Sequence, residues 1–409
     1  MAEPARPKIL FLTTDVPYPL DSGGRIKTFR FLEHLVQSAD VKLICTYGGS
    51  RKSAVDELKK SLRFSGFQAF KQHLTRSPLN MISAFLFAPT LNAYRIESKE
   101  ITTMIKWSSA DCDAVIVDHL EAYHLLPENF RHKVIYHSHN AEFRLWEDFA
   151  KTQSGIKRLM LKWEANRVKK FERWAISRSL FTFVAPNDQA TIQQSIGFKD
   201  EAFRRTYHLG NDAWLDLPDV ELENTEERLF FGGTLDWEPN RDGLMWFLRE
   251  VWPKVLKHHP NCHLDICGKN ADHHLQTMMR QSEQVHYHGF VEDLEANMAK
   301  CRAAIVPLRF GSGMKIKSFD ALYRGIPLIS TPVGVEGIEM ENKKHAFIVS
   351  TSDQFLEAIT TVIENIHEAT TIRTNGKSLC RSEYTNSKLF NGMVSTILGE
   401  LAQRDESDD

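Results

Sequence analysis

With 409 residues, 42% hydrophobic and 25% charged, the chain can form two or three ordinary domains with a substantial core. A formal net charge of −2 excludes a global pull toward nucleic acid, so an anionic ligand must be held by local groups. Six scattered cysteines suit a reducing cytosol, no stretch approaches the ~20 apolar residues of a membrane span, and Ile9–Leu12 is too short for a secretory signal.

In the first half, Lys8–Thr13, Val41–Thr46, Ala114–Val117, Val134–His137 and Phe181–Ala185 read as buried strands. Amphipathic helices separate them, such as Ile26–Val36 with Phe29, Leu32 and Leu35 on one side. After the first strand comes Asp15-Val-Pro-Tyr-Pro-Leu-Asp-Ser-Gly-Gly-Arg25. Gly23 and Gly24 let backbone approach a ligand, the next helix offers free N–H groups, and Arg25 adds charge. The loop lacks G-x-G-x-x-G, against an ordinary NAD site. The apolar stretch Leu79–Leu91 is too short to span a bilayer and reads as core. Asp111-Cys-Asp113 could pass for a metal-binding D-x-D, but it precedes its strand, at the wrong end for ligands, and reads as a turn.

The segment Ile156–Arg178 predicts a basic helix with Leu159, Leu161, Trp163, Phe171 and Trp174 interleaved. It can be a docking surface for an anionic membrane or a packing helix with a solvated basic face, and the second reading is preferred. The polar segment Asn211–Glu227 reads as a linker.

The second half repeats the scheme, with strands expected at Leu229–Gly232, His263–Cys267, Val285–His288, Ala303–Val306, Leu328–Ser330 and Phe347–Val349. Helices are expected at about 240–258, 271–282, 292–300, 314–324 and 352–366. Such alternation means parallel sheets covered on both faces, and two such units predict a ligand cleft between them. Cys262 and Cys267 have an odd offset in a strand, and His286 with His288 lacks further ligands, so no metal site is expected.

The sharpest chemical signal follows Ala303–Val306. Arg309, Gly311, Ser312, Gly313, Met314, Lys315, Lys317 and Asp320 lie at a strand-to-helix junction ending at Gly325 and Pro327. The glycines permit a tight turn, the helix N-terminus and cations suit a diphosphate, and a carboxylate can accept from a ribose diol. The plain alternative is a Lys317–Asp320 surface pair.

These residues resemble a known family. Gly311–Gly337, ending Ser-Thr-Pro-Val-Gly-Val-Glu336-Gly, is similar to the donor site of retaining glycosyltransferases of family 4 (glycosyl transferases group 1), which have the α/β GT-B fold. Phe231-Gly-Gly-Thr-Leu-Asp-Trp-Glu-Pro-Asn240 resembles the start of that family's second domain, in the variant of a bacterial polysaccharide and exosortase-associated subgroup. Pro17–Arg25 and His137-Ser-His139-Asn-Ala-Glu142 resemble its first loop and its active-site histidine segment. The resemblance implies that Gly23 and Gly24 face the diphosphate and His139 contacts the transferring sugar. Lys315, with Arg309, would meet phosphate, and Asp320 the ribose; Gly233, Thr234 and Met314 complete the donor-contacting set. Ser312 replaces the first of the family's two glutamates, Asp320 the second, and Thr234 and Asn240 replace two cations, leaving Lys315, Lys317, Arg309 and Arg25 to compensate.

The resemblance implies two facing Rossmann-like domains, residues 1–210 and 211–375, with 376–409 returning as a helix to the first. The implied activity is metal-independent sugar transfer from a UDP- or GDP-linked donor to a glycan, lipid-linked or other hydroxyl acceptor, with retention and no cofactor. The place expected is the cytoplasm, with peripheral contact at the membrane's inner face left open. A sugar-nucleotide epimerase and a catalytically lapsed binding subunit are the rival readings.

Overall fold

The computed structural model describes residues 6–20, 23–49, 51–72, 78–96, 98–127, 134–151, 153–207, 209–311 and 314–405. Two compact units result: Met1–Tyr207 with Ser387–Asp409, and His208–Asn386. The change of unit thus falls at 387, not 376, because the Ile366–Glu383 helix packs on Ile316–Arg324 of the second unit. The segment expected as a linker also belongs to the second unit, where Asp212 accepts both the backbone and side-chain N–H groups of Asn386 at 2.7 Å.

The first unit holds a parallel seven-stranded sheet of β1 (Lys8–Thr13), β2 (Asp40–Tyr47), β3 (Gly66–Lys71), β4 (Ala114–Asp118), β5 (Val134–His137), β6 (Phe181–Val184) and β7 (Phe203–Arg205). Their order is β3-β2-β1-β4-β5-β6-β7. The central strands are buried on both faces, as continuous apolar runs such as Ala114–Val117 require. The C-terminal helix, Asn386–Asp405, belongs with this sheet, and Phe390 stacks on Phe31 at 6.0 Å between ring centres.

The second unit holds β8 (Arg228–Gly232), β9 (His263–Cys267), β10 (Val285–Gly289), β11 (Ala303–Val306), β12 (Leu328–Ser330) and β13 (Phe347–Ile348), all parallel, in the order β10-β9-β8-β11-β12-β13. The helix expected at 240–258 forms as Glu238–Trp246 and Trp252–His258 around a π-helical turn, Phe247–Val251. Pro253 has no N–H for the regular ladder, which accounts for the wider turn before it. Among the described residues no helix is long and apolar enough to cross a membrane.

Candidate active site

In the first sheet the strand order reverses between β1 and β4, the place where open α/β sheets leave a crevice beyond their carboxyl ends. Asp118 closes β4 there, fully buried. A buried carboxylate needs compensating donors, and Asp118 collects four. Its Oδ1 accepts from His137 Nδ1 at 2.7 Å and His139 Nε2 at 2.8 Å. Its Oδ2 accepts from Thr28 Oγ1 at 2.7 Å and Thr13 Oγ1 at 3.0 Å. An ionised carboxylate only accepts, so both imidazoles donate to it and their proton positions follow.

His119, which sequence reasoning passed over, completes the group. Its φ of 81° lies in the left-handed region, uncommon for a non-glycine residue. This turn lays its ring on that of His139, centres 4.0 Å apart and 12° from parallel, with Nδ1 3.0 Å from Asp118 Oδ2. The His119 side chain is 26% exposed and that of His139 only 4%, so His119 is the more accessible ring. Burial opposes charge on His119, but Asp118 outweighs burial and lifts it to about 9. His139 is held well below its ordinary range, first by burial and then by the His119 cation. Burial works to raise Asp118, yet His119 and His139 hold it well below the carboxylate range. An anion, an imidazolium and a neutral imidazole therefore stand in contact. With Nε2 donating, the acceptor nitrogen of neutral His139 is Nδ1, which a Cβ on Gly24 would approach to 3.9 Å.

The helix expected at Ile26–Val36 starts earlier and spans Gly23–Ser38, so Gly23 and Gly24 form its first turn and not the loop before it; Asp21 and Ser22 lie outside the described residues. Arg25 meets Asp15, which accepts from it at 2.9 Å and from Arg51 at 2.7 Å. These three line a polar cavity of about 620 Å³ with Gln72 and Arg95. Asp118, His137 and His139 also correct the expectation that no metal-ligand set exists, since their ligand atoms lie within 4.8 Å of one another. Their hydrogen bonding is that of a saturated anion, with both ring hydrogens aimed at the carboxylate. The apparent D-x-D is a turn: Asp111 pairs with Lys42 at 2.6 Å and Asp113 accepts the Lys8 N–H at 2.7 Å.

In the second sheet the order reverses between β8 and β11. The Ile316–Arg324 helix begins at Lys315, whose side chain makes no capping bond. Gly311 has φ +118°, and a Cβ there would stand 3.2 Å from Pro239 Cγ, so conformation and space both select glycine. Ser312 and Gly313 lie outside the described residues, and Met314 is buried beside them in sequence. Ser318 Oγ donates to Gly334 O at 2.6 Å, tying the helix to the Thr331–Gly337 loop. Lys315 is 3% exposed, with Gly311 O at 3.5 Å and Glu336 Oε2 at 3.8 Å among its neighbours.

The Lys317–Asp320 surface pair does not form in the expected sense. Lys317 Nζ donates to Asn240 Oδ1 and lies over the Phe231 ring, 4.6 Å from its centre. It would stand 2.6 Å from a Cβ on Gly233, and Asn240 Nδ2 donates to Thr234 O at 2.8 Å. Asn240, where the resembled family has a cation, thus holds a lysine brought from another element. Burial, then Lys315, lowers Lys317 to about 7. Asp320 is raised by burial to about 7, against a hydrogen bond from the Asn211 N–H, and a Cβ on Gly210 would strike its carboxylate. Arg309 is turned onto Asp242 through two hydrogen bonds of 2.8 and 2.5 Å. Half-exposed Phe310 and Trp237 flank Gly311, an aromatic rim that sequence reasoning did not single out. His286 and His288 do not act together: His286 meets His263 at 3.0 Å, and His288 meets Asp265 at 3.2 Å.

Residues 226–365 match the family described as "Glycosyl transferases group 1". A Klebsiella pneumoniae chain described as "Uncharacterized 44.6 kDa protein in cps region" is 24% identical over 94% of this chain and 98% of its own. Among solved structures, Anabaena HepE in complex with UDP-glucose aligns over 98% of this chain and 99% of its own, at 14% identity and TM-score 0.60. The lipopolysaccharide glycosyltransferase WaaG aligns over 96% and 100%, at 13% identity and TM-score 0.64. Sucrose-phosphate synthase of Thermosynechococcus elongatus aligns over 99% and 100%, at 13% identity and TM-score 0.66. These likenesses establish the fold: two Rossmann-like α/β units of the GT-B type.

Proposed function

We propose that this protein is a retaining glycosyltransferase that moves a sugar from a nucleoside-diphosphate sugar to an acceptor hydroxyl in polysaccharide or glycoconjugate synthesis. The observation that carries this reading is the Lys315–Lys317 junction after β11, within the segment matching group 1 glycosyl transferases. The UDP-glucose bound by HepE favours a UDP-linked donor. The barrier is separation of a diphosphate from an oxocarbenium-like sugar, so stabilising the leaving group is the main electrostatic task.

Lys315, Lys317 and the free N–H groups of the Ile316–Arg324 helix serve that task. Asp320 takes the ribose, and the Phe310–Trp237 rim flanks the donor. His139 and the His119 imidazolium receive the transferring sugar, His139 Nδ1 accepting from a sugar hydroxyl. Departure and attack occur on the same face, the leaving phosphate removing the acceptor proton. The test incubates the protein with UDP- and GDP-sugars and a panel of glycan and lipid-linked acceptors, following nucleotide release and the product's anomeric configuration by NMR. Acceptor-dependent release with retention supports the reading; an isomerised donor would establish an epimerase, and nucleotide binding without either product a binding subunit.

A further inference from the structure

The long helix Gly155–Arg178 has two unlike halves. From Ala165 onward one side is buried, with Val168, Phe171, Ala175 and Ile176 against the first sheet. From Gly155 to Trp163 every residue but Leu161 is exposed. Yet Ile156, Leu159, Met160 and Trp163 occur at i, i+3, i+4 and i+7, one apolar stripe, with Ile156 78% and Leu159 65% exposed. Lys157, Arg158 and Lys162 flank the stripe, and this stretch contains no acid. The packing-helix reading therefore holds only for the second half.

Beside the stripe lies a cavity of about 510 Å³, its walls including Phe85, Leu91, Leu145, Trp146, Phe149 and Met160. The carboxyl groups in its lining carry little free negative charge. Glu164 pairs with Arg167 at 2.6 Å, and burial, then Glu121, raises Glu142 to about 8. Asn92 and Arg95 line both this cavity and the polar one that holds Arg25 and Arg51.

We infer that the Gly155–Trp163 face docks on an anionic lipid bilayer, with one lipid hydrocarbon chain entering the adjacent cavity. The apolar stripe enters the acyl boundary while the three cations meet anionic headgroups, the pattern of an interfacial helix. A lipid held by its chain presents its headgroup toward Arg95, at the junction of the two cavities. The inference needs no turnover, so it stands or falls apart from the transferase reading.

The test is co-sedimentation with phosphatidylcholine vesicles, with and without about one-third phosphatidylglycerol, using brominated chains as tryptophan quenchers. Wild type is expected on the anionic vesicles, with Trp163 quenched and the Trp163→Phe variant losing that signal. Joint Lys157→Glu, Arg158→Glu and Lys162→Glu substitutions should weaken binding about a hundredfold, and Ile156→Asp with Leu159→Asp should abolish it. These positions are exposed, and unchanged thermal unfolding establishes that each variant folds. Monomeric brominated dodecyl phosphate should quench Trp146, a signal lost in Trp146→Phe. Equal binding to neutral and anionic vesicles, wild-type binding by the variants, or a dimer that only Ile156→Asp/Leu159→Asp dissolves would overturn the bilayer assignment. Vesicle binding without Trp146 quenching would overturn the cavity assignment.

Discussion

At the end of β4 a carboxylate is the centre, with the His119 imidazolium, two neutral imidazoles and two threonine hydroxyls around it. At the end of β11 two lysines lie close in sequence and space, while Asp320 is engaged by the Asn211 N–H. Both clusters occupy the point where strand order reverses, so the difference lies in how charge is balanced. Asp118 is saturated by protein donors, which fixes the rings of His137 and His139 before any ligand arrives. Lys317 is instead lowered by burial and then by Lys315, an arrangement that a bound anion would relieve. One cluster is preorganised by an internal anion; in the other, two lysines stand where an external anion would relieve their mutual repulsion.

The largest effect should come from removing the internal anion. Asp118→Ala should destabilise the fold by about 3–5 kcal/mol, the range for breaking a buried ionic group's partnership. Denaturant unfolding measures this, and a wild-type midpoint would dissolve the contrast between the sites. The pH dependence has a definite sign. His119 rises from 6.5 to about 9 on folding, so its contribution is complete below 6.5 and lost as pH climbs through about 9. Asp118 is depressed, so its contribution is present above 3.8 and lost as pH falls through its lower folded value.

Next in size is the external anion. Lys315→Ala should weaken UDP binding by about 1.5–3 kcal/mol while leaving uridine binding nearly unchanged, because only the diphosphate carries charge. Calorimetric titration of both ligands checks this, and equal losses would place Lys315 outside the phosphate site. Rising salt should shrink the effect to the extent that water reaches the site.

A smaller effect concerns Lys317, charged below about pH 7 and neutral above it. UDP affinity should fall by up to about tenfold as pH rises from roughly 6 to 8, with proton uptake on binding near neutrality. Lys317→Met should remove both signals; their persistence would assign them elsewhere. The smallest expected effect is none: turnover should survive EDTA, since lysines and helix N–H groups supply the positive field. Loss restored by Mn²⁺ would instead turn attention to the Asp118, His137 and His139 set.

What the sequence by itself determined is mostly local. Lys8–Thr13, Val134–His137, His263–Cys267, Ala303–Val306 and Leu328–Ser330 form strands with the expected bounds, because strands covered on both faces need continuous apolar runs. The glycine and lysine junction before Ile316–Arg324 was legible for a similar reason, its parts lying within a few residues. Edge strands β3 and β7 were missed: Gly66–Lys71 has no fully buried residue, and Phe203–Arg205 has one. Only the tertiary structure decided the rest. His119 gains its role because strand order sets β4 beside β1 and β5, bringing Thr13 to Asp118 across 105 residues. Lys317 lost Asp320 to Asn240, 77 residues away, and Arg25 and Arg309 went to acids that sequence spacing did not pair with them. In the Gly155–Arg178 helix the stripe Ile156, Leu159, Met160 and Trp163 and the buried row Val168, Phe171, Ala175 and Ile176 lie on different sides, and a helix cannot encode which of its apolar residues its neighbours cover. Burial depends on what arrives from elsewhere in the chain, and here nothing among the described residues covers Ile156 and Leu159.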